Sequence, residues 1–482
     1  MNRATHPELM ALLREIRTGP QGTGVAAFFD FDGTVFHGFS RLHPARTRLG
    51  RGSSNALVRS LLTGLSGRKS SAQAKRIHRL ISQMWRGRAE RDFELIEGRL
   101  FSRFTAGNLY PESRQLIRQH RAAGHTLVIV TAATRFHVRS TAHDLGIDHL
   151  LCTEAAVADG VVTGAIDGRL LWGQDKADAV AAFATAEGID LNRSYGYSNG
   201  EADVPLLALV GKPIAVNPDR RLACTSVRRG WRVLRFRPRD CAGAYRIVRT
   251  LAGLFALLVT VVGVRIRSLG CDRQSAIDRM NQWVPKTTLW CAGLRVEITG
   301  AEHTDTPRPA VFLFNHQSQI DTLVIPYVLR TSFTALVAMK VRRYPVFGRL
   351  LRFVDMTFVD QSSPVQARST LDTLVAELRS GKSVAVAPEG RVSPTPQLLP
   401  FKKGGFRLAT EAGVPIIPIV IRNSGDALWR SSMFVRPGTI EVAVLAPIDV
   451  STWDPDTFDL NVEQVRRLYL DTLSDWPAPV DR

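Results

Sequence analysis

"FLFNHQSQID", residues 312–321, sets His316 five residues ahead of Asp321 behind a short apolar run. On a continuous α-helix that separation turns the two side chains ~140° apart, so they could not cooperate. The residues around them suggest another arrangement. Asn315-His316-Gln317-Ser318-Gln319 is polar enough for a loop, and Ile320 to Leu329 is apolar enough for a helix with Ser318 as its N-cap. The stretch therefore predicts a strand, a loop carrying His316, and a helix carrying Asp321 in its first turn. In that geometry the carboxylate holds one imidazole nitrogen while the other faces a substrate. Spacing alone decides little, because His143 and Asp148 are also five apart. They lie where a helix ends at Gly146 and are read as structural.

Further segments follow the same pattern. "AVFLF" (310–314) is a strand feeding the His316 loop, and "SVAVAPEG" (383–390) is a second strand delivering Pro388-Glu389-Gly390. "PFKKGGFRLA" (400–409) sets Lys402, Lys403 and Arg407 around a glycine pair, and "GVPIIPIVI" (413–421) is a further buried strand. The order of these four segments gives the His–Asp pair a context that His143–Asp148 lacks.

The N-terminal half has its own pattern. "GVAAFFDFDGT" (24–34) runs an apolar strand into Asp30 and Asp32, followed by Gly33. Strand ends of α/β sheets are where such folds place ligands. Two carboxylates two residues apart suit an acyl-phosphate mechanism: Asp30 attacks phosphorus, and Asp32 protonates the leaving group and then activates water. "LVIVTAAT" (127–134) ends a second strand near Thr131, a hydroxyl suited to a phosphate oxygen. "WGQDKADAV" (172–180) offers Lys176 to neutralise the phosphoryl group. "YGYSNGEADVPLL" (195–207) ends a third strand in Asn199 and Asp203, the latter a carboxylate for magnesium or its water shell.

At 482 residues the chain has room for two or three domains, and its 45% hydrophobic and 22% charged content is that of globular protein. The net charge of +19 calls for an anionic partner. From Gly33 to Ala89 there are twelve Lys or Arg and no acid; from Arg228 to Arg249 there are eight Arg against Asp240 alone. The apolar run "LAGLFALLVTVVGV" (251–264) lies between Arg246 and Arg249 on one side and Arg265 and Arg267 on the other. Fourteen helical residues reach ~21 Å, short of the ~30 Å hydrocarbon core. An interfacial helix with its arginines on lipid phosphates is the favoured reading, a buried core helix the other. No zinc finger, recognition helix or aromatic-interleaved basic strand is present, so nucleic acid is not expected as a partner. Five scattered cysteines point to reduced thiols in a cytosolic setting, and the N-terminus has no signal-peptide core.

With these motifs in place, residues 24–220 resemble a haloacid-dehalogenase-type phosphatase, close to the phosphoserine-phosphatase-like subgroup. Residues about 285–450 resemble the 1-acyl-glycerol-3-phosphate acyltransferases. The implied architecture is α/β throughout: an N-terminal helix (1–23), a Rossmann-like hydrolase domain (24–220) with a helical cap at about 40–105, a basic linker with the membrane-associated segment (221–284), and an α/β acyltransferase domain (285–482). The resemblance implies His316 as general base and Asp321 as its orienting acid. Glu389, Gly390, Arg391, Lys402 and Lys403 would hold the acceptor. In the first domain Asp30 and Asp32 would be catalytic, Thr131 and Lys176 would bind phosphate, and Asp30, Asp32, Asn199 and Asp203 would face Mg2+. Asn199 stands where that family carries an aspartate on the metal, which implies weakened magnesium binding. Gln361 and Arg391 are likewise departures in phosphate-reading motifs of the second. The expected activity is acyl transfer from acyl-CoA or acyl carrier protein to lysophosphatidate at the cytoplasmic face of an anionic membrane, the enzyme peripheral or monotopic. The alternative is a phosphomonoester or lipid phosphatase whose acyltransferase-like half binds lipid.

Overall fold

The computed structural model describes residues 5–38, 83, 86–238, 243–305, 308–339, 353, 356–359, 364–430 and 432–477. Most of the expected cap, and Gln361, lie outside them. The chain divides into two compact units, 1–241 and 242–482.

The first unit contains α1 (Thr5–Thr18), β1 (Ala26–Phe29), α2 (Glu90–Leu100), α3 (Pro111–Ala122), β2 (Thr126–Thr134), α4 (Arg135–Leu145), β3 (His149–Ala158), β4 (Val161–Asp167), α5 (Gln174–Ala186), β5 (Tyr195–Ser198), α6 (Val204–Leu209), β6 (Lys212–Val216), α7 (Arg220–Arg229) and β7 (Arg232–Leu234). The sheet order is β4-β3-β2-β1-β5-β6-β7, parallel except for β3–β4. Successive β1 side chains enter different cores, Ala27 and Phe29 one and Ala26 and Phe28 the other. Burial on both faces explains why β1 is wholly apolar. β1 lies between β2 and β5, where the chain switches direction across the sheet, and ligands gather at the carboxyl ends of such strands. Helix α4 ends at Gly146 in the left-handed conformation (φ 62°), so His143 marks a helix end. Residues 221–234, expected in the linker, instead continue the first unit. Their arginines suggest a linker, yet Val233 and Leu234 supply the apolar side that an edge strand on β6 requires.

The second unit opens with α8 (Ala244–Arg267) and α9 (Arg273–Cys291), then β8 (Leu294–Thr299), β9 (Val311–Phe314), α10 (Asp321–Leu329), β10 (Phe333–Ala338), β11 (Thr357–Val359), α11 (Pro364–Arg379), β12 (Ser383–Val386), α12 (Gly404–Ala412), β13 (Ile416–Arg422), α13 (Ser424–Ala427), β14 (Gly438–Val444) and α14 (Phe458–Ser474). The sheet order is β11-β10-β12-β9-β13-β14-β8, parallel except for β13–β14. β9 is again central and two-faced, with Phe312 and Phe314 in one core and Val311 and Leu313 in the other. Close packing of α12 on β9 and β12 depends on Gly405, where a Cβ would lie 2.9 Å from Leu313.

Helix α8 differs from expectation. It runs 24 residues rather than 14, because arginine is a good helix former and Arg246, Arg249, Arg265 and Arg267 continue the helix. At ~36 Å it is long enough to cross a bilayer, and it is apolar enough as well. Gly253, Leu257 and Val264 face inward, whereas Tyr245, Val248, Leu251, Leu254, Phe255, Leu258, Val259, Val262 and Ile266 are between 50% and 69% exposed. Helix α9 packs on the inward side: Gly253 admits Ala292, and Thr260 shares a 2.9 Å hydrogen bond with Thr287.

Candidate active sites

In the first unit the chain leaves β1 at Asp30, whose N–H donates to Tyr197 O of β5 at 2.9 Å. Asp30 and Asp32 are both buried. Gly33 turns the chain with φ +88°, and a Cβ there would collide with the Asn199 amide, so both φ and space demand glycine. This puts Asn199, at the end of β5, directly over the loop of the two aspartates. Thr131 is buried at the end of the regular β2–β3 pairing, where the register shifts between Thr131 and Thr134. Such an irregularity re-aims side chains at a sheet edge.

Lys176 enters from the first turn of α5 and is almost fully buried. Its Nζ donates to Asp30 Oδ1 at 2.6 Å and to Asp203 Oδ2 at 2.9 Å. Ser198 Oγ donates to the same Asp203 oxygen at 2.6 Å. Burial alone would lower the Lys176 pKa, but the two carboxylates outweigh it and raise it. Burial pushes Asp30 up to about 6, against the pull of the ammonium beside it. The structure thus joins four expected residues, Asp30, Lys176, Asp203 and Asn199, at the ends of β1 and β5. Asp203, expected at the metal, instead spends one oxygen on Lys176 and Ser198. Ser198 was not anticipated, since nothing local marks a strand-end serine as the partner of an acid five residues on.

Among the described residues no three His, Cys, Asp or Glu side chains converge on a metal position. The remaining donors, the Asp30 carboxylate, the Asp32 carbonyl and the amide oxygen of Asn199, are all hard oxygens. That set suits Mg2+, with one charge fewer than an aspartate in place of Asn199 would give.

In the second unit β9 ends at Phe314, and the loop that follows is fastened on several sides. Asn315, fully buried, donates Nδ2 to Ile421 O at 2.9 Å and accepts Ile421 N–H at 2.6 Å, extending the β9–β13 pairing by a side-chain rung. His316 Nδ1 lies 2.9 Å from Asp321 Oδ2, which also accepts the Gln317 and Ser318 N–H groups at 2.9 and 2.8 Å. A carboxylate only accepts, so His316 carries its proton on Nδ1 and leaves Nε2 basic. The His316 side chain is 19% exposed and Asp321 is fully enclosed. Asp321 sits in the first turn of α10, as expected. Ser318 is not the N-cap: its Oγ donates to Leu428 O at 2.5 Å, and Ile320 holds the cap position. The loop tightens so far around Asp321 that this carboxylate gathers the N–H groups itself.

Glu389, 3% exposed, accepts His316 N–H at 2.7 Å and Leu399 N–H at 2.9 Å. Burial raises its pKa to about 7, despite those two N–H groups. Gly390 has φ +69°, and a Cβ there would lie 2.7 Å from Lys402 Nζ, so Lys402 covers the Pro-Glu-Gly turn. Arg391 is exposed. Lys403 leaves the group: it pairs with Asp459 of α14, 2.6 Å from Oδ1, on the surface. The Asn315 side chain and the Ser393 backbone N–H also belong to this site's framework, the first on Ile421 and the second donating to His316 O at 2.7 Å. Both partners are distant in sequence and gave no local signal.

Both arrangements stand at the carboxyl ends of central parallel strands, and known proteins match on the same division. The haloacid dehalogenase-like hydrolase family matches residues 27–208, and the acyltransferase family matches residues 295–422. The phosphoserine phosphatase SerB1 of Mycobacterium tuberculosis is 30% identical over 278 residues, covering 56% of this chain and 87% of that protein. The chain belongs to the haloacid dehalogenase-like hydrolases through its first unit and to the acyltransferases through its second. The 1-acyl-sn-glycerol-3-phosphate acyltransferase of Cocos nucifera is 30% identical over 193 residues, covering 40% of this fusion chain and 62% of that relative's length. Among solved structures, the 1-acyl-sn-glycerophosphate (LPA) acyltransferase PlsC of Thermotoga maritima is 21% identical with a TM-score of 0.41, covering 48% of this chain and 98% of that one. The fusion therefore joins an acyltransferase domain to a hydrolase domain of a family that generally uses Mg2+.

Proposed function

We propose that the chain is a membrane-associated 1-acylglycerol-3-phosphate O-acyltransferase acting in phospholipid synthesis. The observation that carries this reading is the His316–Asp321 pair at the carboxyl end of β9, with Nδ1 held by the acid. His316 Nε2 takes the proton of a glycerol hydroxyl as that oxygen attacks the carbonyl of an acyl thioester. The C–S bond then breaks, the thiolate leaves and collects the proton, and a phosphorylated diacylglycerol is formed. Asp321 stabilises the imidazolium between these steps. Lys402 and Arg391 attract the acceptor phosphate as cations. The donor is acyl-CoA or acyl carrier protein, and the acceptor is lysophosphatidate.

Helix α8 supports membrane attachment on the cytoplasmic face. Its exposed apolar side enters the lipid, its arginines meet lipid phosphates, and its inward side stays with α9, so it lies in one leaflet without crossing. The first unit supports a second activity. Asp30 would attack phosphorus and Asp32 would serve as general acid and then base, while Lys176 balances charge and Thr131 meets a phosphate oxygen. Asp30, Asp32 and Asn199 would hold Mg2+, which supplies electrostatic shielding of the phosphoryl oxygens when bound. Lys176 clasped between Asp30 and Asp203 favours keeping phosphatase action on an anionic lipid or phosphomonoester as the second reading.

The decisive experiment supplies purified full-length chain with lysophosphatidate or glycerol-3-phosphate and either donor, and identifies the lipid formed. Phosphatidate from lysophosphatidate is expected. Phosphate release without acyl transfer would favour the second reading.

A further inference from the structure

We propose that Glu389 is a positioning residue that clamps the backbone of His316, rather than a contact for the acceptor. The inference rests on the reading of His316 as general base, and its structural half can be measured without any activity. Glu389 is 3% exposed, and its two oxygens are divided between two backbone N–H groups, His316 at 2.7 Å and Leu399 at 2.9 Å. The other side of the same residue is fastened too: Ser393 N–H donates to His316 O at 2.7 Å. All three partners come from one connection, the segment between β12 and α12. The loop after β9 is therefore pinned by the N–H and the C=O of His316 itself, while Asn315 pins the preceding residue to β13.

The chemistry fits this role better than substrate contact. Two converging N–H donors take up an oxygen each, which leaves Glu389 little to offer a substrate. In its ionised form it would also repel an anionic phosphate. The ring of His316 is oriented by Asp321, but a ring can be oriented and still stand in the wrong place. Glu389 fixes where the ring is anchored, and general-base catalysis requires Nε2 within hydrogen-bond reach of the hydroxyl. A shift of about 1 Å in such a group costs on the order of 10²-fold in rate.

Glu389→Gln tests the inference with little change of shape. The amide keeps one acceptor oxygen and turns an NH2 toward the other backbone N–H, so one of the two bonds is lost. We expect kcat to fall at least about tenfold while KM for the acceptor stays within about twofold, because the acceptor never touched the carboxylate. Amide hydrogen exchange in residues 312–321 should quicken at the same time. A KM raised about tenfold with kcat near that of the unaltered protein would overturn the clamp and return Glu389 to the acceptor site. Unchanged kinetics would overturn it equally. If Glu389→Gln does not fold, Glu389→Asp keeps an acceptor-only carboxylate that reaches one N–H at a time, and the same split applies. If the unaltered chain transfers no acyl group, the proposed function has failed, and the exchange measurement still judges the clamp: unchanged exchange in 312–321 sinks it.

Discussion

His316→Ala leaves Asp321 with its two backbone N–H donors, so the loop should keep its shape while the only imidazole in the motif disappears. A general base contributes roughly 10²–10⁴-fold, and acyl transfer should fall by that much with vesicle binding unchanged. Retention of more than a tenth of the rate would remove His316 from the mechanism. Asn199 is the matching test in the first unit. Restoring a carboxylate by Asn199→Asp returns a unit charge to the oxygens facing magnesium and should lower the magnesium concentration needed for phosphomonoester hydrolysis. A natural protein that already saturates below millimolar magnesium would contradict a weakened site. At this scale the sequence pointed to the side chains that meet better than to those that hold them in place. His316, Asp321, Asp30 and Lys176 carry types and spacings that local reading can find. Ser198 and Asn315 could not be found that way, because their roles arise from strands and loops distant in sequence. Lys403 illustrates the opposite error. A cation beside a glycine pair is suggestive, but Asp459, 56 residues on, takes it.

Elements were legible where burial dictates pattern, and less so where it does not. The apolar strands β1, β9 and β13 announce themselves because both of their faces are covered. Helix α8 was underestimated because an apolar run marks what is buried or lipid-facing, not where hydrogen bonding stops. A less visible device lies between α3 and β2. Tyr197 OH is 2.7 Å from His120 Nε2, His120 Nδ1 is 2.8 Å from His125 Nδ1, and His125 Nε2 is 2.8 Å from Pro20 O. The carbonyl can only accept, so His125 carries a proton on Nε2; with both rings neutral, His120 donates through Nδ1 and Tyr197 donates to His120 Nε2. An added proton would reverse this chain, with the Tyr197 oxygen accepting, and would place a charge at a buried site. Burial accordingly lowers both histidines, His120 well below the ordinary value, with His125 adding to it. Because the folded pKa values lie below the unfolded ones, the unfolded chain binds more protons once pH drops under about 6.5. Stability is then complete above that pH and declines below it, by up to about 1.4 kcal/mol per pH unit for each histidine. Imidazole resonances of His120 and His125 should stay in their neutral positions through pH 6.5, where exposed histidines titrate. Ordinary titration of either would refute the neutral chain.

Across the whole chain, each unit owns its sheet and its cores. The buried clusters on the two faces of β1 draw only on residues up to Phe236, and those around β9 begin at Leu257. No buried cluster among the described residues mixes the two units, and the chain divides at Cys241. The candidate sites are divided in the same way, Asp30 with Lys176 in the first unit and His316 with Asp321 in the second. Two substitutions should therefore act without crossing over. Asp30→Asn removes the proposed attacking carboxylate and should abolish phosphate release while leaving acyl transfer within about twofold, since sites in separate cores with no shared partners behave additively. His316→Ala should do the reverse. The double variant, assayed for both reactions and for vesicle binding, should show the product of the single effects and undiminished attachment through α8. Lysophosphatidate already bears the free hydroxyl to be acylated, so nothing in that assay waits on phosphate release. A loss of acyl transfer in Asp30→Asn would therefore mean that the second unit depends on the first for its fold or its working form, and would end the claim of independence.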